Sequence, residues 1–327
     1  MKRVASGMRP TGKLHLGNYF GALKNWIELQ DKYECFYFIV DFHALTTGYE
    51  KSKEIRENIY EMALDWFAMG LDPNKSTVYI QSSIVEIPIL HLIFSMIVPM
   101  PWLERNPTVK EMVRDLDLKE NVGYGLLGYP VLQAADILIV KGEYVPVGKD
   151  QLPHLEFSRE LARRFNFLYG EFFPEPQALL TETPLIYGID GKKMSKSLNN
   201  QINLSDSEDE IIKKVTQMIT DPSKIRKSDP GHPEICSVFS YYENFFKEKM
   251  DLVKEECEKG LRGCVECKKE IAKKIYNFLE PYREKKSNLE KDKDTIWDIL
   301  KEGGKRAKKI AEKTLSDVKK LMGLDYL

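Results

Sequence analysis

Two stretches, "CFYFIVDFHALT" (35–46) and "STVYIQSS" (76–83), begin as unbroken apolar runs and end in polar groups. An unbroken apolar strand is buried on both faces, which is the condition of a parallel sheet covered by helices. Residues 52–69 between them have the spacing of a crossover helix, "RVAS" (3–6) reads as an earlier strand, and "EYVPVGKDQ" (143–151) reads as a later strand running into a polar loop. The chain therefore belongs to the α/β class. Ligands of such sheets bind beyond the carboxyl ends of the strands, which is where Asp41, His43, Gln81 and Ser82 fall. "YPVLQAADIL" (129–138) reads as a helix with Pro130 in its first turn and with Gln133 and Asp136 on one face.

Beyond about residue 205 only helical patterns remain, Ser207 and Glu210 having the spacing of a capping box. With 327 residues, 43% of them hydrophobic, there is material for two cores. The expected division is an α/β domain over 1–200 and a helical domain over 201–327. No apolar run approaches the length of a membrane span and the start lacks a signal-peptide core, so a soluble, cytoplasmic protein without membrane contact is expected. The formal net charge is -1, which shows no global attraction to polyanions. From Tyr241 onward 22 Lys and Arg stand against 18 Asp and Glu. That excess fits the solvated face of a helical bundle or a weakly basic face for a polyanion.

"IDGKKMSKSLNN" (189–200) places Lys192, Lys193 and Lys196 with Ser195 and Ser197 in one Gly- and Asn-bounded loop. Flexible ammonium groups suit a densely anionic ligand whose charge moves during reaction, such as a triphosphate; composition alone fits a solvated turn equally well. Near the N-terminus, Gly7-x4-Gly12-Lys13 imitates a P-loop, but Leu14 stands where such a loop has Ser or Thr. The adjacent His15, Gly17 and Asn18 lie where a turn enters a helix, a seat for phosphate that needs no P-loop lysine.

Taken together, Gly12, His15, Gly17 and Asn18, followed far along the chain by Lys-Met-Ser-Lys-Ser at 193–197, resemble the paired signatures of class I aminoacyl-tRNA synthetases. "DFHALT" (41–46), "YPVLQAADIL" and "VPVGKDQ" (145–151) look like the tryptophanyl branch of that family rather than the tyrosyl one. The resemblance covers essentially the whole chain. It implies a Rossmann-like catalytic domain joined to an all-helical anticodon-binding domain, acting as a homodimer on L-tryptophan, ATP with Mg2+, and tRNA(Trp). It further implies that His15, Gly17 and Asn18 hold the ATP phosphates, with Lys193 and Lys196 on the departing pyrophosphate. Arg9, Lys110, Met194 and Ser195 complete the implied ATP site. Asp136 would accept the indole N–H, His43, Tyr129 and Gln133 would line the amino-acid pocket, and Gln151 would meet the amino acid's polar end. The family's loop form is Val-Gly-Glu-Asp-Gln, and Lys149 replaces its glutamate here. The apolar "LHLIFSMIVPMPWL" (90–103) suits a dimer contact. A tyrosyl enzyme, another adenylyl transferase and a non-catalytic tRNA-binding paralogue are the alternatives.

Four of the five cysteines, Cys236, Cys257, Cys264 and Cys267, fall in the helical part, the last two as Cys-x-x-Cys. By ligand type four thiolates suit zinc first and an iron–sulfur cluster second. A subset of tryptophanyl-tRNA synthetases carries a [4Fe–4S] cluster on cysteines spaced in this way, and by that resemblance the cluster is expected here, with structural Zn2+ as the alternative. Cys35 reads as core.

Overall fold

A computed structural model describes residues 1–115, 118, 122–148, 152–180 and 185–326. Strands β1 (Arg3–Met8), β2 (Glu34–Ile39), β3 (Ser76–Ile80), β4 (Tyr144–Val147) and β5 (Gln177–Leu180) form one sheet in the order β3-β2-β1-β4-β5. All four pairings are parallel, with Gly7 opposite Phe38 and Phe38 opposite Tyr79. β2 is buried from Cys35 to Ile39, as its unbroken apolar run requires. Chain order reverses between β1 and β4, which places a switch point beside the carboxyl end of β1.

The helix Asp41–Gly48 follows β2 after one residue, and a short 3-10 turn, Gln81–Ser83, follows β3 directly. The polar ends of both stretches thus lie at the carboxyl edge of the sheet. The crossover starts as a 3-10 turn (Tyr49–Glu54), continues as the helix Ile55–Met69 and stops at Gly70, whose φ of +116° is left-handed.

By their contacts the residues form two compact units, one comprising Met1–Gly12, Asn25–Glu182 and Leu289–Leu327, the other Lys13–Lys24 and Thr183–Asn288. The first unit is the sheet with its helices, including Glu86–Ile97, Tyr129–Ile139 and the C-terminal helix Lys293–Leu321. The Rossmann-like parallel sheet is thus followed in sequence by helices alone, the last of which returns to the sheet's own unit. In the second unit the segment around Leu14–Leu16 pairs with residues 202–204, Leu16 N–H donating to Ile202 O at 3.0 Å and Leu204 N–H to Leu14 O at 2.9 Å. Ser207 caps the helix Glu208–Gln217 through the expected box with Glu210. Phe20, Phe245 and Phe278 meet in an aromatic cluster with ring centroids 5.0 to 6.0 Å apart. Among the described residues no helix is long and apolar enough to cross a membrane.

Asp292 caps the C-terminal helix, accepting from the backbone N–H groups of Asp294 and Thr295. Ile296, Leu300, Gly303, Ala307, Ala311 and Val318 form its buried stripe, the i, i+3/i+4 pattern of one helical face. Gly303 lies against β3 so closely that a methyl group there would stand 1.8 Å from Val78 O, whereas one on Gly304 would meet only Ser83 Oγ, at 3.2 Å. Gly303→Ala is expected to destabilise the fold by about 1–3 kcal/mol despite its gain in helix propensity. Gly304→Ala should be neutral or stabilising, and thermal or urea unfolding of the two variants checks the contrast.

Candidate active site

A cavity of about 400 Å³ opens at the carboxyl edge of the sheet in the first unit, with β1 and β4 on either side of the switch point contributing to its wall. Gly7 stands in that wall because a Cβ there would lie 2.6 Å from the Phe38 ring and 2.7 Å from Val40. His43, Tyr129, Gln133 and Asp136, the residues expected from the sequence for an amino-acid pocket, all line this cavity, with Thr46, Thr108 and Met112. The rings of His43 and Tyr129 meet edge to face at 5.8 Å. Arg9, expected on the ATP side, lines the same cavity, while Lys110 is exposed on the helix Pro107–Asp115 and is not among the lining residues. Gln151, with Lys149 and Asp150, lies outside the described residues.

Asp136 is 1% exposed, so its carboxylate depends on protein donors. Gln81 Nε2 donates to both of its oxygens, at 2.7 and 2.8 Å, and His43 Nε2 lies 3.0 Å from Oδ2. Burial pushes the Asp136 carboxyl up, against the opposing pull of His43 and Gln81. The Gln81 amide is itself oriented, since its Oε1 accepts Phe42 N–H at 3.1 Å. Asp41 Oδ1 accepts from Phe42 N–H and from Ser82 N–H, at 3.1 and 3.0 Å, tying the ends of β2 and β3 together. Sequence reasoning placed Gln81 at a strand end without giving it a role. Its signal was a fully polar amide directly after a buried strand.

In the second unit His15 caps the helix Leu16–Asn18 in a reciprocal box. Its Nδ1 accepts Asn18 N–H at 3.3 Å, and Asn18 Oδ1 accepts His15 N–H at 3.1 Å. Burial first, and the charge of Lys196 second, lower the His15 pKa to about 4. The imidazole is therefore neutral at pH 7, and with Nδ1 accepting, its proton sits on Nε2 as a donor. A Cβ on Gly17 would stand 2.9 Å from His15 Nδ1, so glycine keeps that face of the ring open.

The lysine-rich loop belongs to the same unit and is organised by Asn200. This side chain is 1% exposed; its Oδ1 accepts Ser195 N–H at 2.8 Å, and its Nδ2 donates to Asp190 Oδ1 at 2.7 Å and to Lys193 O at 3.2 Å. Gly188 admits it, since a Cβ there would lie 2.3 Å from Asn200 Cγ. Gly191 at φ +72° and Asn199 at φ +50° take the left-handed turns of the loop. Met194 is buried and Ser195 Oγ lies 2.7 Å from Ser197 Oγ, while Lys193 is exposed and Lys196 half-buried. Asn200 is the second residue that sequence reasoning missed, a buried amide at the end of a lysine-rich loop.

Residues 1–280 match the family model described as tRNA synthetases class I (W and Y). The chain belongs to that family. Among its relatives in the family, the tryptophan–tRNA ligase of Aquifex aeolicus is 48% identical, the match covering 98% of this chain and 100% of the relative. The tryptophan–tRNA ligase of Thermotoga maritima is 47% identical over 99% of this chain and 100% of the relative. A solved tryptophanyl-tRNA synthetase of Campylobacter jejuni, complexed with ADP and tryptophan, superposes with a TM-score of 0.88 at 34% identity, covering 98% of this chain and 100% of that one.

The cysteine expectation requires correction. Cys236, Cys257, Cys264 and Cys267 line one cavity of about 20 Å³. Among the described residues, however, no group of three or more His, Cys, Asp and Glu side chains is placed to hold a metal ion. All four are free thiols. Burial pushes Cys236 and Cys267 upward and Cys257 up to about 11. Arg262 Nε already occupies Cys267, donating to its Sγ at 3.0 Å. The cavity that the four cysteines line is also bounded by Phe239, Val253, Lys224 and Arg262. Neither a [4Fe–4S] cluster nor Zn2+ is supported, nor is membership of the cluster-bearing subset of the family. Cys35, expected in the core, is buried.

The lowered His15 has a consequence for stability. Between its folded pKa of about 4 and its ordinary 6.5, the unfolded chain binds the proton that the folded chain refuses. Stability contributed by neutral His15 is thus complete above pH 6.5 and is lost as pH falls towards 4, by up to about 3 kcal/mol. Urea unfolding from pH 4 to 7 should show this slope, and His15→Asn should flatten it.

Proposed function

We propose that this chain is a tryptophan–tRNA ligase, which joins L-tryptophan to ATP as tryptophanyl-adenylate and then passes tryptophan to the 3′ end of tRNA(Trp). The observation that carries the reading is the buried Asp136 carboxylate in the wall of a largely apolar cavity. A carboxylate only accepts and an indole N–H only donates, so the two are complementary. An indole against such a wall buries area worth several kcal/mol. Phenylalanine would offer the Asp136 carboxylate no donor in place of the indole N–H, at about 1–3 kcal/mol.

In the first step the tryptophan carboxylate attacks the α-phosphorus of ATP in line and pyrophosphate leaves. In the second a ribose hydroxyl of the tRNA attacks the activated carbonyl and AMP leaves. Neither step needs a protein nucleophile, so catalysis is positioning and charge stabilisation. Neutral His15 offers an Nε2–H to a phosphate oxygen, with Asn18 and the open face at Gly17 beside it. Lys193 and Lys196 supply mobile positive charge for the leaving pyrophosphate, and Met194, Ser195, Arg9 and Lys110 are assigned to ATP as well, with its magnesium. His43, Tyr129, Gln133, Asp136 and Gln151 are assigned to tryptophan. Catalytic chemistry is assigned to residues 1–200 and anticodon binding to 201–327, the helix Lys293–Leu321 serving the sheet in addition. A cytoplasmic location is part of the same proposal.

ATP–pyrophosphate exchange tests the reading. Exchange is expected with tryptophan and at most weakly with tyrosine; exchange favouring tyrosine refutes it. Replacing Lys196 or Lys193 by Ala should lower kcat about 100-fold or more, with little change in the KM for tryptophan.

A homodimer is part of the same proposal. On the helix Glu86–Ile97, Leu92 and Met96 are 56% and 70% exposed. Exposed apolar side chains one turn apart on one helix face suit an isologous contact with a second copy. Sedimentation of the wild type should give a dimer, and Leu92→Glu with Met96→Glu should shift it to monomer.

A further inference from the structure

Gln81 is fully buried and does not line the amino-acid cavity, yet among the described residues it makes more hydrogen bonds to Asp136 than any other side chain does. Its amide cannot be turned over. Flipped, its NH₂ would face Phe42 N–H and its carbonyl would face the Asp136 carboxylate, setting donor against donor and acceptor against acceptor. As placed, backbone Phe42 fixes the oxygen end and leaves the nitrogen end as an obligatory donor. We propose that Gln81 is a positioning residue for tryptophan selection, acting through Asp136, which it orients and keeps as a pure hydrogen-bond acceptor towards the cavity. The proposal rests on the tryptophan reading above and assigns that selectivity to a side chain behind the pocket wall.

The setting makes this donor necessary. Asp136 is faced by His43 and by Asp41, which opposes its ionisation, and its charge is also felt by the Tyr79 hydroxyl and by His91. His43 can donate only in one tautomer, whereas the Gln81 amide donates at every pH. Without Gln81 the buried carboxyl has one less donor, binds a proton more readily and turns partly into a donor itself. A protonated Asp136 no longer demands an N–H from its ligand, so both tryptophan affinity and the penalty against phenylalanine should fall.

The test is ATP–pyrophosphate exchange by the full-length protein carrying Gln81→Met, with Gln81→Glu as a near-isosteric second variant should the first fold poorly. Each variant should raise the KM for tryptophan about tenfold or more, leaving kcat and the KM for ATP within about twofold. The preference for tryptophan over phenylalanine should shrink in proportion. In Gln81→Met the tryptophan KM should drop as pH rises from 6 to 9, because ionised Asp136 is the binding form, while the wild-type value stays flat. A merely structural role would lower the melting temperature without giving this pH profile. Unchanged tryptophan KM and selectivity in both variants, or a loss confined to kcat or to ATP, overturns the proposal alone. A wild-type enzyme that exchanges only with tyrosine overturns the functional reading and this inference with it.

Discussion

The reversal of chain order between β1 and β4 is the constraint on which the cavity at the sheet's carboxyl edge depends. Parallel strands all end on the same edge, and connections leaving neighbouring strands in opposite senses leave a crevice where they part. Here Asp41 and Gln81 follow just after β2 and β3, and the helix Tyr129–Ile139 brings Asp136 to the same edge. A buried carboxylate survives there because the strand ends supply donors to it. The bond from Phe42 to Gln81 and those from Phe42 and Ser82 to Asp41 hold the ends of two strands in one register. The polar network thus depends on the sheet, and the acceptor facing the cavity depends on the network.

Much of this was legible in the chain because the signals are local. Unbroken apolar runs with polar ends identify parallel strands and the edge that carries chemistry. Ser207 and Glu210 announce a helix start by their spacing alone. What could not be read is what joins residues far apart in sequence. Nothing near Gln81 indicates that its partner stands 55 positions away. The stripe from Ile296 to Val318 says that one face of the last helix is buried, but not that β3 covers it. Two glycines at buried positions inside a helix were the available hint of a close backbone approach. The stretch 17–30 reads as one amphipathic helix, whereas it forms a short turn of helix, a π-helical turn over Tyr19–Leu23 and a second helix. The compact units divide within it, after Lys24. The four cysteines mark the opposite failure. Their spacing is a statement about the chain, while metal binding requires side chains aimed at one point, and among the described residues no group of three or more such ligands is so placed.

The two motifs read as nucleotide-binding solve different electrostatic problems. His15 is buried beside a cation, so it is kept neutral and acts as an oriented dipole whose free N–H has one direction. Dipoles fixed before substrate arrives lose little in reorganisation. Lys193 and Lys196 are full charges on long stems, able to follow phosphate oxygens as their charge and position change. Such freedom is useful only if the loop beneath is anchored. Asn200 provides the anchor by binding three points of that loop from within, and Gly188 yields the space for it. In the reaction proposed above, a rigid base carrying long-stemmed charges would let the loop hold its place while the lysines respond to a leaving group, which a uniformly soft or uniformly stiff loop could not do.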